Sequence, residues 1–205
     1  MKSGGLPDYT GVLKGPKAPR APRSTITTIA GVDPGTIRIG VCVLQVRGNE
    51  LKRIHLDAFG VNPKTPKHER LWQLYKMLLP YLEGVDEVVI EKAYVGRNAA
   101  SAIAIGEARG MVIIAAAGRF TKRPKVIEYT ASEARKAVCG SGDRDKIVVR
   151  QFVKRILNLD HFTRCPDGSG TELPLDASDA ACLAIARAWE VSHEVCCPSG
   201  LEAVR

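Results

Sequence analysis

Three β-rich segments follow one another near the start of the chain, and their order constrains the fold more than any other feature. Thr25–Val32, Ile39–Val46 and Leu51–Ala58 are rich in the β-branched and apolar residues that favour strands. The connections are short, because Asp33-Pro-Gly is a turn signal and Arg47-Gly-Asn-Glu50 is typical of a hairpin. Strands joined in this way predict an antiparallel meander.

After the meander, helical and β patterns alternate. Glu69–Leu82 repeats its leucines with the period of an amphipathic helix, and Glu87–Ile90 is a short strand of mostly apolar residues. A fifth strand is predicted at Lys125–Tyr129. This order predicts an α/β domain with a five-stranded mixed sheet flanked by helices. The other predicted helices are 99–120, 130–138, 143–159 and 175–195.

The helix predicted at 99–120 is dominated by small residues. Gly106 and Gly110 are four residues apart, and Ala102 precedes them by one turn. Each glycine costs a helix about 1 kcal/mol relative to alanine, so a close approach by another element or a partner chain is one explanation. A helix that packs flat on its own sheet is an equally open alternative.

Length and charge indicate the class of protein. A chain of 205 residues is long enough to form one domain with a sizeable core. Its net charge of +8 favours a polyanionic partner such as a nucleic acid. Its apolar runs are interrupted by charges and are too short to cross a bilayer, so no membrane association is expected.

The two ends differ in composition from the middle of the chain. Residues 1–24 are rich in Gly, Pro, Lys and Arg, and we expect a disordered basic arm, with a leader remnant as the alternative. The predicted domain is 25–196, and 197–205 is a predicted tail. None of the six cysteines has C-x-x-C spacing, which indicates free thiols in a reducing compartment. No role is assigned to Cys196 and Cys197.

Four acidic residues form the candidate site. Asp176 and Asp179 stand three residues apart and share one face of a predicted helix, while Asp33 and Glu91 lie at predicted strand ends. Each alone has an ordinary explanation as a turn, cap or solvated surface residue. Together they are the oxygen ligands that Mg²⁺ prefers, and two such ions can clamp a phosphoryl displacement. A basic chain with such a set predicts a metal-dependent nuclease.

Several motifs resemble one known family in order and spacing, from about Thr25 to Trp189. The resemblance is to the RuvC family of Holliday-junction resolvases. The Asp-Pro-Gly start is shared with other RNase H-like nucleases, whereas the Gly-Glu-Ala-Arg-Gly block and the motifs after it are more specific. The motifs are Gly31-Val-Asp-Pro-Gly-Thr-Ile-Arg-Ile-Gly40, Val89-Ile-Glu-Lys-Ala-Tyr94, Asn98-Ala-Ala-Ser-Ala102, Gly106-Glu-Ala-Arg-Gly110, Glu128-Tyr-Thr-Ala131, Lys136-Ala-Val-Cys-Gly140 and Asp176-Ala-Ser-Asp-Ala180.

The resemblance implies an RNase H-like fold and a homodimer formed through helix 99–120. The implied activity is a crossover junction endodeoxyribonuclease that resolves four-way DNA junctions by paired symmetric nicks in recombination and repair. It also implies two Mg²⁺ per active site, with Mn²⁺ as a substitute, held by Asp33, Glu91, Asp176 and Asp179. Lys146 is expected to stabilise charge on the scissile phosphate. The residues expected to contact DNA are Tyr94, Lys136, Arg109, Arg123 and Lys125.

Some alternatives stay open at this level. One is an RNase H-like nuclease that acts on RNA or other branched substrates, and another is a junction-binding protein that does not cut. A branch-migration motor is a candidate partner, and the sequence does not decide whether one is required. We expect a cytoplasmic, nucleoid-associated protein, with a phage or organelle origin left open. The basic arm before Thr25 departs from the family pattern.

Overall fold

The sheet has the five strands and the mixed character expected from the sequence. The structure is a computed structural model that describes residues 25–92, 98–118, 123–159 and 172–196. The strands are β1 Ile26–Asp33, β2 Arg38–Arg47, β3 Glu50–Gly60, β4 Glu87–Glu91 and β5 Lys125–Tyr129. Their order is β3-β2-β1-β4-β5, with β1 to β3 antiparallel and β4 and β5 parallel to β1.

Helices cover both faces of the sheet. Alternate side chains of a strand point to opposite faces, so neighbouring residues of β1 belong to different cores. The helices are α1 Lys67–Leu82, α2 Ala99–Gly118, α3 Ala131–Cys139, α4 Lys146–Ile156 and α5 Leu175–Cys196. Ile29 packs with α3, α4 and α5, whereas Ala30 packs with α1 and α2.

Two glycines within the strands let α5 lie directly on the sheet. A Cβ added at Gly31 would stand 2.1 Å from the carbonyl oxygen of Ala180, and one added at Gly40 would stand 2.0 Å from that of Asp176. A glycine inside a strand often marks such a close backbone approach. The contact fixes the first turns of α5 against β1 and β2.

The predicted elements are all present, and the differences lie at their ends. Helix α4 begins at Lys146, three residues later than expected, because Asp145 caps it: the backbone N–H of Ile147 donates to Asp145 Oδ1 at 2.7 Å. The same helix ends at Ile156 instead of residue 159. The basic arm, Tyr94 and the tail lie outside the described residues.

The glycines of α2 are not close to any other part of the described chain. A Cβ added at Gly106 or Gly110 would meet no described atom of another element within 4 Å. The expectation that these glycines admit a neighbouring element of the same chain is therefore wrong for the described residues. The partner-chain explanation remains.

Candidate active site

Four carboxylates meet at one end of the sheet. Asp33 is the last residue of β1 and Glu91 is the last of β4; the two strands are parallel neighbours, with Val32 opposite Ile90. Their ends therefore lie side by side. Asp176 and Asp179 occupy the first two turns of α5, which lie against β1 and β2. The structure thus brings together all four of the acids singled out in the sequence.

The acids are close enough to oppose one another's ionisation. Burial, the largest cause, and then the negative charges of Asp179, Glu91 and Asp176 raise the pKa of Asp33 from 3.8 to about 7. The positive charge of Lys146 works in the other direction. A carboxyl so perturbed inside a cleft is typical of a functional site.

Glu91 is affected in the same way. Burial and the charge of Asp179 raise its pKa, while Lys146, Arg135 and Arg109 act to lower it. Burial and the charge of Asp179 together outweigh these three cations. A further positive charge would therefore be bound favourably at this end of the sheet.

Two basic side chains contact the acids on α5. Lys146 Nζ lies 2.5 Å from Asp179 Oδ2, and Arg38 Nε lies 3.1 Å from Asp176 Oδ2. Burial opposes the charge of Lys146, but the hydrogen bond to Asp179 and the charges of Asp179 and Asp33 outweigh it, so the pKa of Lys146 is raised. The lysine therefore remains an ammonium group beside the acids.

The donor set suits a hard divalent cation. The donors are carboxylate oxygens on rigid elements, which are the ligands that such ions prefer. The ammonium group of Lys146 offsets part of their negative charge through its contact with Asp179. A cleft of about 290 Å³ opens beside Asp33 and Glu91, with Lys92 also on its wall. Among the described residues, no three Asp, Glu, His or Cys side chains converge on a single ion position. In this arrangement Asp176 pairs with Arg38 and Asp179 pairs with Lys146, and the expectation that all four acids reach a shared pair of ions stays a prediction.

The basic residues expected to contact DNA differ in their surroundings. Lys136, Arg123 and Lys125 are exposed. Arg109 is buried, and its guanidinium forms an ion pair with Glu128. A direct DNA contact from Arg109 does not fit this placement, because burial and the ion pair withhold it from the surface. Tyr94 lies outside the described residues.

Arg135 belongs to the site and was missed in the sequence. It lines a small cavity with Glu91, Asp179 and Cys182, whereas the neighbouring Lys136 is exposed. The helical period carried the signal, since Arg135 lies one residue after the buried Ala134 and three before the buried Val138. That phase directs Arg135 towards the core side of α3 and Lys136 towards solvent.

Arg38 and the two strand glycines were also missed. Gly31 and Gly40 interrupt β-rich segments, and that signal for close packing was available. Arg38 gave none, because its partner Asp176 is 138 residues away in the chain. Only the folded topology brings them together.

A five-stranded mixed sheet with helices on both faces, and acids gathered at adjoining strand ends, defines an RNase H-like nuclease. Residues 29–187 match the family model described as "Crossover junction endodeoxyribonuclease RuvC". The chain belongs to the RuvC family. The family is one of hydrolases that depend on a divalent metal.

Relatives and solved structures agree with this assignment. The crossover junction endodeoxyribonuclease RuvC of Desulfitobacterium hafniense is 32% identical over 166 residues, which cover 80% of this chain and 93% of the relative. That of Thermotoga maritima is 34% identical over 169 residues, with 81% and 96% covered. A structure of T. thermophilus RuvC in complex with Holliday junction substrate superposes with a TM-score of 0.68 at 26% identity, covering 82% of this chain and 97% of that one.

Proposed function

We propose that the protein is a crossover junction endodeoxyribonuclease that resolves four-way DNA junctions by paired symmetric nicks in recombination and repair. The observation that carries the proposal is the family match over residues 29–187, which contains all four clustered acids. The basic net charge fits a DNA substrate. The proposed location is the cytoplasm, at the nucleoid, where such a substrate arises.

Asp33, Glu91, Asp176 and Asp179 are the proposed ligands of two Mg²⁺ per active site, with Mn²⁺ as a substitute. Burial and the charges of the neighbouring acids raise the pKa of Asp33 and of Glu91, which supports this assignment. When bound, divalent ions supply activation of the attacking water and neutralise charge on the phosphate and leaving oxygen.

Two basic residues complete the proposed chemistry. Lys146 is half exposed and contacts Asp179, so its ammonium can hold that carboxylate in place and donate to a phosphate oxygen at the same edge. Arg135 lines a small cavity with Glu91 and Asp179, and its positive charge acts to lower the pKa of Glu91. Exposed Lys136, Arg123 and Lys125 would bind the DNA backbone and position the junction.

A homodimer formed through α2 is part of the proposal. Contrary to the expectation that the apolar runs are too short to cross a bilayer, this helix is long and apolar enough to do so by length and composition, and 33% of that window is buried within the chain. One face of the helix carries Ile103, Gly106, Gly110 and Ile114. Both isoleucines are exposed, and no described atom of another element lies within 4 Å of a Cβ placed on either glycine. Arg109 and Glu107 make ion pairs from the middle of α2, which favours a protein partner over lipid. Two subunits would place two active sites on one junction.

Cleavage of a synthetic four-way junction tests the function. The full chain is incubated with the junction, linear duplex and an RNA–DNA hybrid, each with and without Mg²⁺. We expect symmetric nicks in the junction alone, and only with Mg²⁺. Cleavage of the hybrid in preference to the junction, or junction binding without cleavage, would contradict the proposal. A mass measurement in solution tests the dimer, with Ile114→Asp expected to yield monomers.

A further inference from the structure

Arg38 makes an ion pair inside the acid cluster. Its Nε lies 3.1 Å from Asp176 Oδ2, and the two side chains are 49% and 38% exposed. The other pair in the cluster, Lys146 with Asp179, has its carboxylate much more enclosed, at 13% exposure. Asp176 is thus the more open of the two α5 carboxylates, and Arg38 is its hydrogen-bonding partner.

The backbone of Arg38 is fixed by its surroundings. It is the first residue of β2, and it pairs with Gly60 at the end of β3. A Cβ at Gly60 would stand 3.1 Å from Arg38 Cγ, so the glycine makes room for the arginine stem. The turn before Arg38 is held by Arg70, whose Nε donates to the carbonyl oxygen of Thr36 at 3.0 Å.

The guanidinium head is not fixed in the same way. The side chain is half exposed, and among the described residues its hydrogen bond is to Asp176. Arg38 also lines an open groove between β3 and α1. A firmly anchored stem with a loosely held head can change partners without any movement of the backbone. Arginine carries its charge at all working pH values, so the exchange needs no proton.

We propose that Arg38 has two alternative partners: it holds Asp176 while the site lacks a divalent cation, and it binds a phosphate of the DNA strand when Asp176 ligates one. The inference rests on the proposed function, since it takes Asp176 to be a metal ligand. A divalent cation at Asp176 competes with the guanidinium for the same carboxylate and repels it. The released guanidinium stands at the edge where the DNA strand lies, and its planar fork matches phosphate oxygens.

The proposal predicts opposite effects of one substitution on two ligands. Arg38→Gln removes the competitor for Asp176, so Mn²⁺ measured by electron paramagnetic resonance without DNA should bind about threefold to tenfold more tightly. The same variant loses one phosphate contact. With Ca²⁺ in place of Mg²⁺ and the junction verified as uncut, its affinity should fall, and its log–log salt slope should decrease by about 0.9.

Lys67→Gln is the matched control. Lys67 pairs with Glu107, and the two side chains are 47% and 36% exposed, close to the values for Arg38 and Asp176. Its loss should leave the Mn²⁺ affinity and the salt slope at wild-type values. Arg38→Lys keeps the charge without the fork, and should restore Mn²⁺ affinity to near wild type.

An unchanged Mn²⁺ affinity or an unchanged salt slope in Arg38→Gln would overturn the proposal. Equal tightening of Mn²⁺ binding in Lys67→Gln would also overturn it, because the effect would then follow net charge alone. Both readouts are binding measurements made without cleavage. Failure of the proposed function would instead appear as a wild-type protein that does not cut the junction.

Discussion

Charged groups lie in two regions of α5: the near end, which carries Asp176 and Asp179, and a far end in its C-terminal half, which carries Arg187. The charges are balanced in one region and unbalanced in the other. At the far end, Arg187 is buried and its guanidinium donates to both Glu87 carboxylate oxygens, at 2.7 and 3.0 Å, and to Glu190 at 3.0 Å. Tyr129 donates its hydroxyl proton to the same Glu190. At the near end, four carboxylates gather, and the nearby cations leave the pKa of Asp33 at about 7.

The difference separates a structural network from a functional one. The carboxylates around Arg187 are satisfied by groups of the chain itself, so the far end needs nothing from outside. At the near end, burial and the charges of the neighbouring acids raise the pKa of Asp33 in spite of the positive charge of Lys146. A cluster left with excess negative charge is one that an external cation completes.

Loss of an acid at the near end should have the largest effect. Asp179→Asn removes a proposed ligand, and we expect junction cleavage to slow by about 10³-fold or more, because a bound metal contributes several kcal/mol to the transition state. Junction binding should survive, since phosphate contacts dominate it. Rates come from single-turnover cleavage and affinity from a binding titration.

The exposed Asp143 supplies the matched control, and Asp143→Asn should cut at the wild-type rate. Wild-type cleavage by Asp179→Asn would remove that residue from the active site.

At the far end the expected effect is on stability instead. Arg187→Met leaves the largely buried carboxylate of Glu87 without its partner, which costs about 3–5 kcal/mol of unfolding free energy. Urea denaturation measures the loss. The variant that remains folded at low temperature should cut at the wild-type rate, because Arg187 lies eight residues beyond Asp179 on α5.

Arg155→Gln, on the exposed side of α4, should change stability by less than about 0.5 kcal/mol. A comparable loss in both variants, or slow cleavage by folded Arg187→Met, would erase the distinction between the two ends of α5.

The fold was largely readable from the sequence because its signals are local. Turn residues and β-branched runs located β1 to β3, and the leucine period located α1. The sheet order needed more, since β4 is inserted beside β1 through a parallel pairing across some 58 residues. The start of α4 was misplaced because Asp143 and Asp145 are both plausible caps, and the hydrogen bond to Ile147 selects the second.

The candidate site was predictable in its acids and less so in its cations. The spacing of Asp176 and Asp179 indicates a shared helix face, and Asp33 and Glu91 are indicated by their positions at the ends of predicted strands. Arg135 and Lys136 are adjacent in sequence, so composition cannot choose between them; the packing of α3 does. Arg38 reaches Asp176 only through the contact of β2 with α5.

The two neighbours on α3 provide the next test. Arg135→Gln should slow junction cleavage by about 10- to 100-fold, since Arg135 faces Glu91 and Asp179. Lys136→Gln should instead weaken junction binding severalfold and reduce its salt dependence, because Lys136 is exposed. The reverse pattern would mean that Lys136, and not Arg135, lies at the reacting phosphate.

The smallest expected effect concerns Asp33 in the absence of metal. Its pKa is raised when folded, so the native state holds a proton that the unfolded state has lost between pH 4 and pH 7, and stability falls as pH rises through that range. Asp33→Asn removes this cost. In chelator, we expect the variant to be more stable than wild type at pH 8, and the difference to vanish near pH 3.

Thermal or urea unfolding at the two pH values measures this difference. Equal stability at pH 8 would show that neither burial nor the neighbouring acids raise the pKa of Asp33 in the folded protein.

Titration of Mn²⁺ into the full-length protein without DNA tests most directly the claim that the near end of α5 is completed by an external cation. Electron paramagnetic resonance of free Mn²⁺ gives the affinity and the stoichiometry. We expect saturable Mn²⁺ binding by wild type and by Arg187→Lys. The tighter of the two proposed Mn²⁺ sites should be lost in both Asp33→Asn and Asp179→Asn. Undiminished binding by the two aspartate variants would contradict the claim.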